Sequence, residues 1–194
     1  MLFRSRKGQG PSDWLVAFSP DGDRLVTASH EQDLHVWNVA TGERLASLRG
    51  HEAIVTALAF SPDGAQIASA AANGCIRLWR ADTYGVAREL MGHDGSIATL
   101  AFRDDGETLA SGGADGTVRI WSRTAPEPLS VLAGVRGMTA VAYSPDGRQL
   151  AVAPPAEGVV ALWDPRTVEG QRTLDVAGAN VAQIAYSPDG RLRS

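Results

Sequence analysis

The chain has 194 residues, 44% of them hydrophobic, and a mean hydropathy of −0.11, which is typical of a single globular domain with a substantial core. No apolar run approaches the ~18 to 20 residues of a membrane-spanning helix, so an integral membrane protein is excluded. The 18 basic and 22 acidic residues give a net charge of −4 and a pI near 5.5, which argue against nucleic acid as a partner.

Four of the five tryptophans recur at a constant interval. They are Trp37, Trp79, Trp121 and Trp163. The interval is 42 residues each time, and a turn aspartate recurs with nearly the same period. Self-similarity at a fixed period of this length is the signature of a repeat architecture. The predicted repeats span approximately 8–48, 49–90, 91–132 and 133–177, with an incomplete repeat at 178–194.

Each repeat is predicted to contain four short strands in chain order. The third repeat is the most regular, with apolar runs at 97–102, 108–111, 117–121 and 128–132. These runs are rich in Val, Ile, Leu and aromatic residues and are separated by Asp-Gly or Pro signals, which indicates strands and hairpin turns rather than helices. A Ser-Pro-Asp-Gly turn recurs at 19–22, 61–64, 144–147 and 187–190, with a variant at 103–106. Because one such sheet cannot bury both faces alone, neighbouring sheets are expected to stack as in a propeller.

The repeated motifs resemble the WD-repeat β-propeller family. They are Gly-His, Ala-Phe-Ser-Pro-Asp-Gly, Leu-Ala-Ser-Gly-Gly-Ala-Asp-Gly and Val-Arg-Ile-Trp, in that order and over almost the whole chain. The resemblance is greatest to bacterial repeats that are often attached to signalling NTPase or protein-kinase domains. It implies an all-β fold of four-stranded antiparallel blades. Family propellers usually close with about seven blades, so the chain is expected to form a partial, open propeller of four blades plus one strand.

The resemblance implies a hydrogen-bonded tetrad in each blade: the Gly-His histidine, a Ser or Thr, the turn aspartate and the tryptophan. The third repeat has the full set, His93, Ser111, Asp115 and Trp121. The second repeat has His51, Ser69, Asn73 and Trp79, with an amide in place of the carboxylate. The first and fourth repeats lack the histidine. The first repeat has Thr27, Glu31 and Trp37, and the fourth has Glu157 and Trp163. The third blade is therefore expected to be the most rigid.

The resemblance also implies that one end of the blades, the top face, binds a partner. The residues expected there are Trp14, His30, Glu52, Ile54, Asp94, Ser96, Arg136 and Met138. They form neither a basic patch nor an aromatic cage, so they do not identify the ligand. Trp14 lies outside the 42-residue period, and two interpretations stay open for it: an exposed contact residue or a side chain packed on the next blade.

Catalytic and metal-binding interpretations are weaker than structural ones. His93, Ser111 and Asp115 are the residue types of a nucleophilic triad, but a tetrad buried in a blade exposes no hydroxyl and offers no oxyanion hole. His30 and His35 are five residues apart, an odd spacing that does not suit ligands on one face of a strand. No catalytic residue, metal or cofactor is expected.

The sequence favours a cytoplasmic protein-interaction module. Cys75 is the single cysteine, which excludes an internal disulfide, and residues 1–7 are charged without a following apolar segment, so no secretory signal is expected. The first hypothesis is a non-enzymatic scaffold for a protein or peptide partner, within a larger bacterial signalling or regulatory polypeptide. The alternative is a structural unit that completes a propeller by homo-oligomerisation through exposed blade faces. A propeller-based enzyme is a remote third. Neither nucleic acid nor a membrane is expected as a partner.

Overall fold

A computed structural model describes residues 15–29, 32–133, 140–153, 158–167, 169–176, 184–187 and 189–193. Every regular element in these ranges is a β-strand. The described part of the chain accordingly has no helix that is long and apolar enough to cross a membrane. The all-β class that the sequence predicts is confirmed.

Four antiparallel four-stranded sheets follow one another along the chain, and in each the strands pair in sequence order. Blade 1 consists of β1 (Leu15–Phe18), β2 (Arg24–Ala28), β3 (Leu34–Asn38) and β4 (Arg44–Leu48). Blade 2 consists of β5 (Val55–Phe60), β6 (Gln66–Ala71), β7 (Ile76–Arg80) and β8 (Val86–Leu90). Blade 3 consists of β9 (Ile97–Phe102), β10 (Thr108–Gly113), β11 (Thr117–Ser122) and β12 (Pro128–Ala133). Blade 4 consists of β13 (Ala140–Tyr143), β14 (Leu150–Ala153), β15 (Val159–Asp164) and β16 (Glu169–Asp175).

The Ser-Pro-Asp-Gly turns close the first hairpin of a blade by local hydrogen bonds. In blade 2 the Ser61 hydroxyl donates to Asp63 at 2.5 Å and accepts the backbone N–H of Gln66 at 2.9 Å. The N–H of Gly64 donates to the Ser61 carbonyl at 2.8 Å, and Gly64 has a φ of 67°, which favours glycine. The turns at 19–22 and 144–147 repeat these hydrogen bonds. The motif therefore sets the register of the first two strands in each of these blades.

The core consists of apolar layers between successive blades. Side chains of β2 and β3 in blade 1 pack on Ile67 and Trp79 of blade 2, and blade 2 packs in the same way on Leu109 and Trp121 of blade 3. Trp79 and Trp121 are almost fully buried in these layers. The 42-residue period of the tryptophans is thus a period of inter-blade packing, as expected for a stacked repeat.

The array is open, as the sequence predicts. Each blade packs on the next one along the chain, and in the part of the chain that the structure describes the sheets do not close into a ring. The last unit differs slightly from the expected single strand, because β17 (Ala185–Tyr186) pairs with a second short strand, β18 (Leu192–Arg193). This hairpin covers the outer face of blade 4 through Tyr186 and Leu192.

Candidate functional site

Blade 3 contains a continuous chain of hydrogen bonds across its strands. The Trp121 indole N–H donates to the Ser111 hydroxyl at 2.7 Å. The same hydroxyl lies 2.7 Å from Nε2 of His93, and Nδ1 of His93 lies 3.0 Å from the Asp115 carboxylate. Asp115 also accepts the hydroxyl of Thr117 at 2.8 Å. These contacts join the loop before β9 to β10, the β10–β11 turn and β11, so the four residues hold the blade together at its top end.

Burial and hydrogen bonding together determine the protonation states of His93 and Asp115. Burial lowers the pKa of His93, and the neighbouring Asp115 only partly opposes this. For Asp115 burial acts to raise the pKa, but hydrogen bonds from the Asp94 backbone, Thr117 and His93 outweigh it and lower the value. A neutral His93 donates from Nδ1 to the carboxylate and accepts the Ser111 O–H at Nε2. The Ser111 hydroxyl is fully buried, so the arrangement fixes strands and presents no nucleophile to solvent.

Gly113 provides the space in which His93 meets Asp115. A Cβ atom at Gly113 would overlap Nδ1 of His93 and come within 2.7 Å of Oδ1 of Asp115. In the strand pairing Ile97 lies opposite Gly113 and Val55 lies opposite Ala71, so Ala71 is the equivalent residue in blade 2. The glycine is a requirement of the histidine–aspartate contact that sequence reasoning overlooked. The signal available in the sequence was the joint replacement of Gly113 and Asp115 by Ala71 and Asn73.

Blade 2 keeps only half of this chain of bonds. The Trp79 indole donates to Ser69 at 2.8 Å, and Ser69 lies 2.6 Å from Nε2 of His51. Asn73 instead accepts the backbone N–H of Cys75 at 3.3 Å, and Nδ1 of His51 is buried without a hydrogen-bond partner among the described residues. Burial, together with the nearby Arg77, lowers the pKa of His51 to about 4. The structure thus brings three of the four predicted residues together and leaves Asn73 apart.

Among the described residues, blades 1 and 4 retain less of this chain of hydrogen bonds. In blade 1 the Trp37 indole donates to Thr27 at 2.9 Å. In blade 4 Val152 occupies the position of the serine, and the buried Nε1 of Trp163 has no hydrogen-bond partner in the described part of the chain. The predicted acids Glu31 and Glu157 lie outside the described residues.

Four of the predicted top-face residues lie on blades 2 and 3. The N–H of Ala72 donates to the carbonyl of Ile54 at 2.9 Å, and that of Ala114 donates to Ser96 at 2.8 Å, so equivalent loops are fixed in both blades. Glu52 and Asp94 are exposed, Ser96 is half-buried, and Ile54 is 46% exposed. The remaining four, Trp14, His30, Arg136 and Met138, lie outside the described residues.

The top face is connected directly to the tetrad. The backbone N–H of Asp94 donates to Oδ2 of Asp115 at 3.1 Å. The carboxylate that orients His93 therefore also fixes the exposed loop in which Asp94 lies. A loop held in this way has less backbone freedom left to lose on binding.

The opposite, bottom face of blade 2 contains a cleft that sequence reasoning missed. Its volume is about 340 Å³, and Arg24, Arg80 and Arg123 line it. The three arginines come from three different blades and occupy non-equivalent positions in their repeats. The 42-residue period therefore gave no signal for this grouping.

Comparison with known proteins places the chain in a family. The family model described as the IFT122 first beta-propeller matches residues 13–192. A stretch of 48 residues is 44% identical to WD repeat-containing protein 86 of Homo sapiens and covers 25% of this chain and 12% of that protein. A stretch of 42 residues is 48% identical to the probable serine/threonine-protein kinase PkwA of Thermomonospora curvata and covers 22% of this chain and 6% of that protein. Both alignments span far less than two thirds of the relatives' own length. Together with the stacked four-stranded blades, the match over residues 13–192 identifies this chain as a member of the WD-repeat β-propeller family, as its repeated motifs predict.

Proposed function

We propose that this chain is a non-enzymatic module that binds a protein or peptide partner through the top face of its blades. Propellers of this family generally mediate protein–protein interactions and are generally not enzymes. The observation that carries the proposal is the exposed Ile54 on a loop that is fixed by the Ala72 hydrogen bond. An exposed apolar side chain in a fixed loop beside a polar residue, here Glu52, is suited to be a binding anchor.

The equivalent loop of blade 3 supplies polar contacts. Asp94 is exposed and held by Asp115, and Ser96 is held by Ala114. Polar groups around an apolar anchor give orientation and specificity more than affinity. The proposed site therefore combines Ile54 as the anchor with Glu52, Asp94 and Ser96 as its polar rim, and extends to Trp14, His30, Arg136 and Met138.

The test is a comparison of two apolar-to-acidic substitutions. Peptides that bind the chain are selected from a displayed library, and their Kd values are measured for wild type, Ile54→Glu and Leu129→Glu. Leu129 is 58% exposed on the outer strand β12, so Leu129→Glu is a matched control away from the top face. Ile54→Glu is expected to weaken binding by about tenfold or more, and Leu129→Glu by less than about twofold. Equal effects of the two substitutions, or no effect of Ile54→Glu, contradict the top-face site.

We further propose that the chain acts inside a larger bacterial signalling or regulatory polypeptide in the cytoplasm. This is supported by the 42-residue similarity to the probable serine/threonine-protein kinase PkwA, which has the length of one repeat. Sequencing of the full reading frame is the test. A kinase or NTPase domain in the same polypeptide supports the proposal, and a secretory signal in that reading frame contradicts it.

Self-assembly is the second candidate function, and the exposed face of β1 favours it. Val16 and Phe18 are 58% and 59% exposed, whereas their equivalents in blade 2, Leu58 and Phe60, pack on blade 1. A second copy of the chain that stacks on this face would bury both side chains. Sedimentation equilibrium tests this candidate: we expect a concentration-dependent dimer that Phe18→Asp abolishes and Leu129→Asp retains. A monomer at all concentrations contradicts it and leaves the top-face proposal unaffected.

A further inference from the structure

The bottom cleft of blade 2 concentrates positive charge in a chain whose net charge is −4. Three arginines and one carboxylate, Asp82, line it. Just outside the lining, Asp63 pairs with Arg123, and Arg24 helps to lower the pKa of Asp21. The positive charge is thus partly balanced from outside, and a lining of three arginines and one carboxylate suits a ligand with a single carboxylate.

Arg24 is held in place by contacts with blade 2, and Arg80 by a contact within its own blade. Nη1 of Arg24 donates to the carbonyl of Ala81 at 2.7 Å, and Nη2 donates to the carbonyl of Gly64 at 3.3 Å. The same guanidinium lies 5.9 Å from the centre of the Phe60 ring. Arg80 lies opposite Gln66 in the β6–β7 pair and is exposed, with a hydrogen bond from Nη1 to the Val86 carbonyl at 3.2 Å. Since a guanidinium has five N–H donors, both side chains have more donors than these contacts use.

One carboxylate already binds to this group of arginines. Nη1 of Arg123 donates to Oδ2 of Asp63 at 2.8 Å across the interface between blades 2 and 3. Burial opposes the ionisation of Asp63, yet hydrogen bonds from Ser61, the Ala65 backbone and Arg123 lower its pKa to about 2. This arginine–carboxylate contact within the protein is of the kind that Arg24 and Arg80 offer to a carboxylate of a ligand.

We infer that the bottom cleft of blade 2 is a second binding site, which takes a carboxylate side chain of an acidic peptide segment between Arg24 and Arg80. Gln66 also lines the cleft, with its amide Oε1 buried and without a hydrogen-bond partner among the described residues. A volume of about 340 Å³ accommodates one or two side chains. A doubly charged phosphate fits less well, because Asp63 and Asp82 repel its second charge. The site lies at the opposite end of the blade from Ile54 and does not depend on the proposed top-face function.

The test uses a fluorescein-labelled nine-residue peptide of Gly, Ser and Glu, measured by fluorescence anisotropy at low salt. The variants are Arg80→Gln and Arg80→Glu. The control is Arg49→Gln, which removes the same charge at the top of blade 1, where the Arg49 side chain is 78% exposed and paired with Asp33. Arg80→Gln is expected to weaken binding about fivefold, and Arg80→Glu more, whereas Arg49→Gln changes it less than about twofold. Circular dichroism verifies that each variant is folded.

Four results with the cleft variants and probe peptides would overturn this assignment, and a fifth comes from a top-face variant. The four are an equal loss for Arg80→Gln and Arg49→Gln, equal binding of a peptide with Gln in place of Glu, binding of a phosphoserine peptide alone, and no binding at all. The Ile54→Glu variant separates this site from the top face: it must bind the acidic peptide as wild type does, and a loss there would place the peptide on the top face instead.

Discussion

Gly74 of blade 2 packs directly against the backbone carbonyl of His93 in blade 3. A Cβ atom at Gly74 would overlap that oxygen and lie 3.1 Å from the carbonyl oxygen of Gly95. Gly74 also has a φ of 81°, which side chains rarely adopt. The turn between β6 and β7 is therefore pressed against the loop that carries the tetrad histidine of the next blade, and the position accepts no side chain.

Gly74→Ala is expected to destabilise the chain by about 3 kcal/mol or more, because backbone strain adds to a clash with an atom that cannot rotate away. Gly42→Ala is the matched control, since Gly42 has a φ of 73° but an added Cβ there meets nothing within 4 Å. It should cost only about 1 kcal/mol. Urea unfolding of both variants measures the difference, which is the contribution of the inter-blade contact. Equal losses of unfolding free energy in Gly74→Ala and Gly42→Ala would mean that blades 2 and 3 separate or shift at no cost in free energy.

The fold could be predicted from the sequence because, in a stacked repeat, the residues that pack between units recur at a constant spacing along the chain. Trp79 and Trp121 lie at equivalent places in equivalent interfaces, so their spacing in the chain reflects their burial. The Ser-Pro-Asp-Gly turns are local, and their hydrogen bonds join residues at most five apart, such as Ser61 and Gln66. Both features are visible in one sequence without knowledge of the contacts.

The site could be predicted only where it follows the same period. The tetrad positions recur every 42 residues, but whether their side chains meet depends on neighbours such as Gly113, which carries no chemistry of its own. Tyr84 also departs from the repeat pattern, since it has a φ of 60° at the position where blade 1 has Gly42. Its ring packs against the core between blades 1 and 2. The bottom cleft is lined by non-equivalent residues of three blades, so no local sequence pattern indicates that they lie together.

Stability is expected to fall as the pH is lowered from about 6.5 to about 4. The pKa of His51 is about 4 in the folded chain and about 6.5 in the unfolded chain, so between these values only the unfolded chain takes up the proton. Full stability is present above pH 6.5, and the loss by pH 4 amounts to about 3 kcal/mol at most. Urea unfolding at several pH values measures the slope. His51→Gln should flatten it, leaving the smaller dependence of His93, whose pKa is also lowered; an unchanged slope contradicts the assignment to His51.

Asn73→Asp alone is not expected to complete the blade 2 tetrad. The Cβ of Ala71 occupies the space that Gly113 leaves open in blade 3, so a new carboxylate is kept from Nδ1 of His51. The double substitution Ala71→Gly/Asn73→Asp removes that obstacle and should raise the pKa of His51, since a neighbouring carboxylate favours the charged imidazole. NMR titration of the histidine ring protons is the measurement. A pKa that rises as much in the single variant as in the double variant contradicts the steric argument.

Restoring a hydroxyl in blade 4 should supply the hydrogen-bond acceptor that the buried Nε1 of Trp163 lacks among the described residues. Val152→Thr is close in volume to the wild type and places an Oγ where Ser69 and Ser111 accept their tryptophans, so we expect a gain of about 1 kcal/mol. Val141→Thr is the control, because Val141 lies opposite Val152 in the β13–β14 pair and is similarly buried. Its new hydroxyl gains no indole, so the chain should lose about 1 kcal/mol or more. Urea unfolding distinguishes the two outcomes, and a loss of equal size in both variants would mean that the position of Val152 requires an apolar side chain.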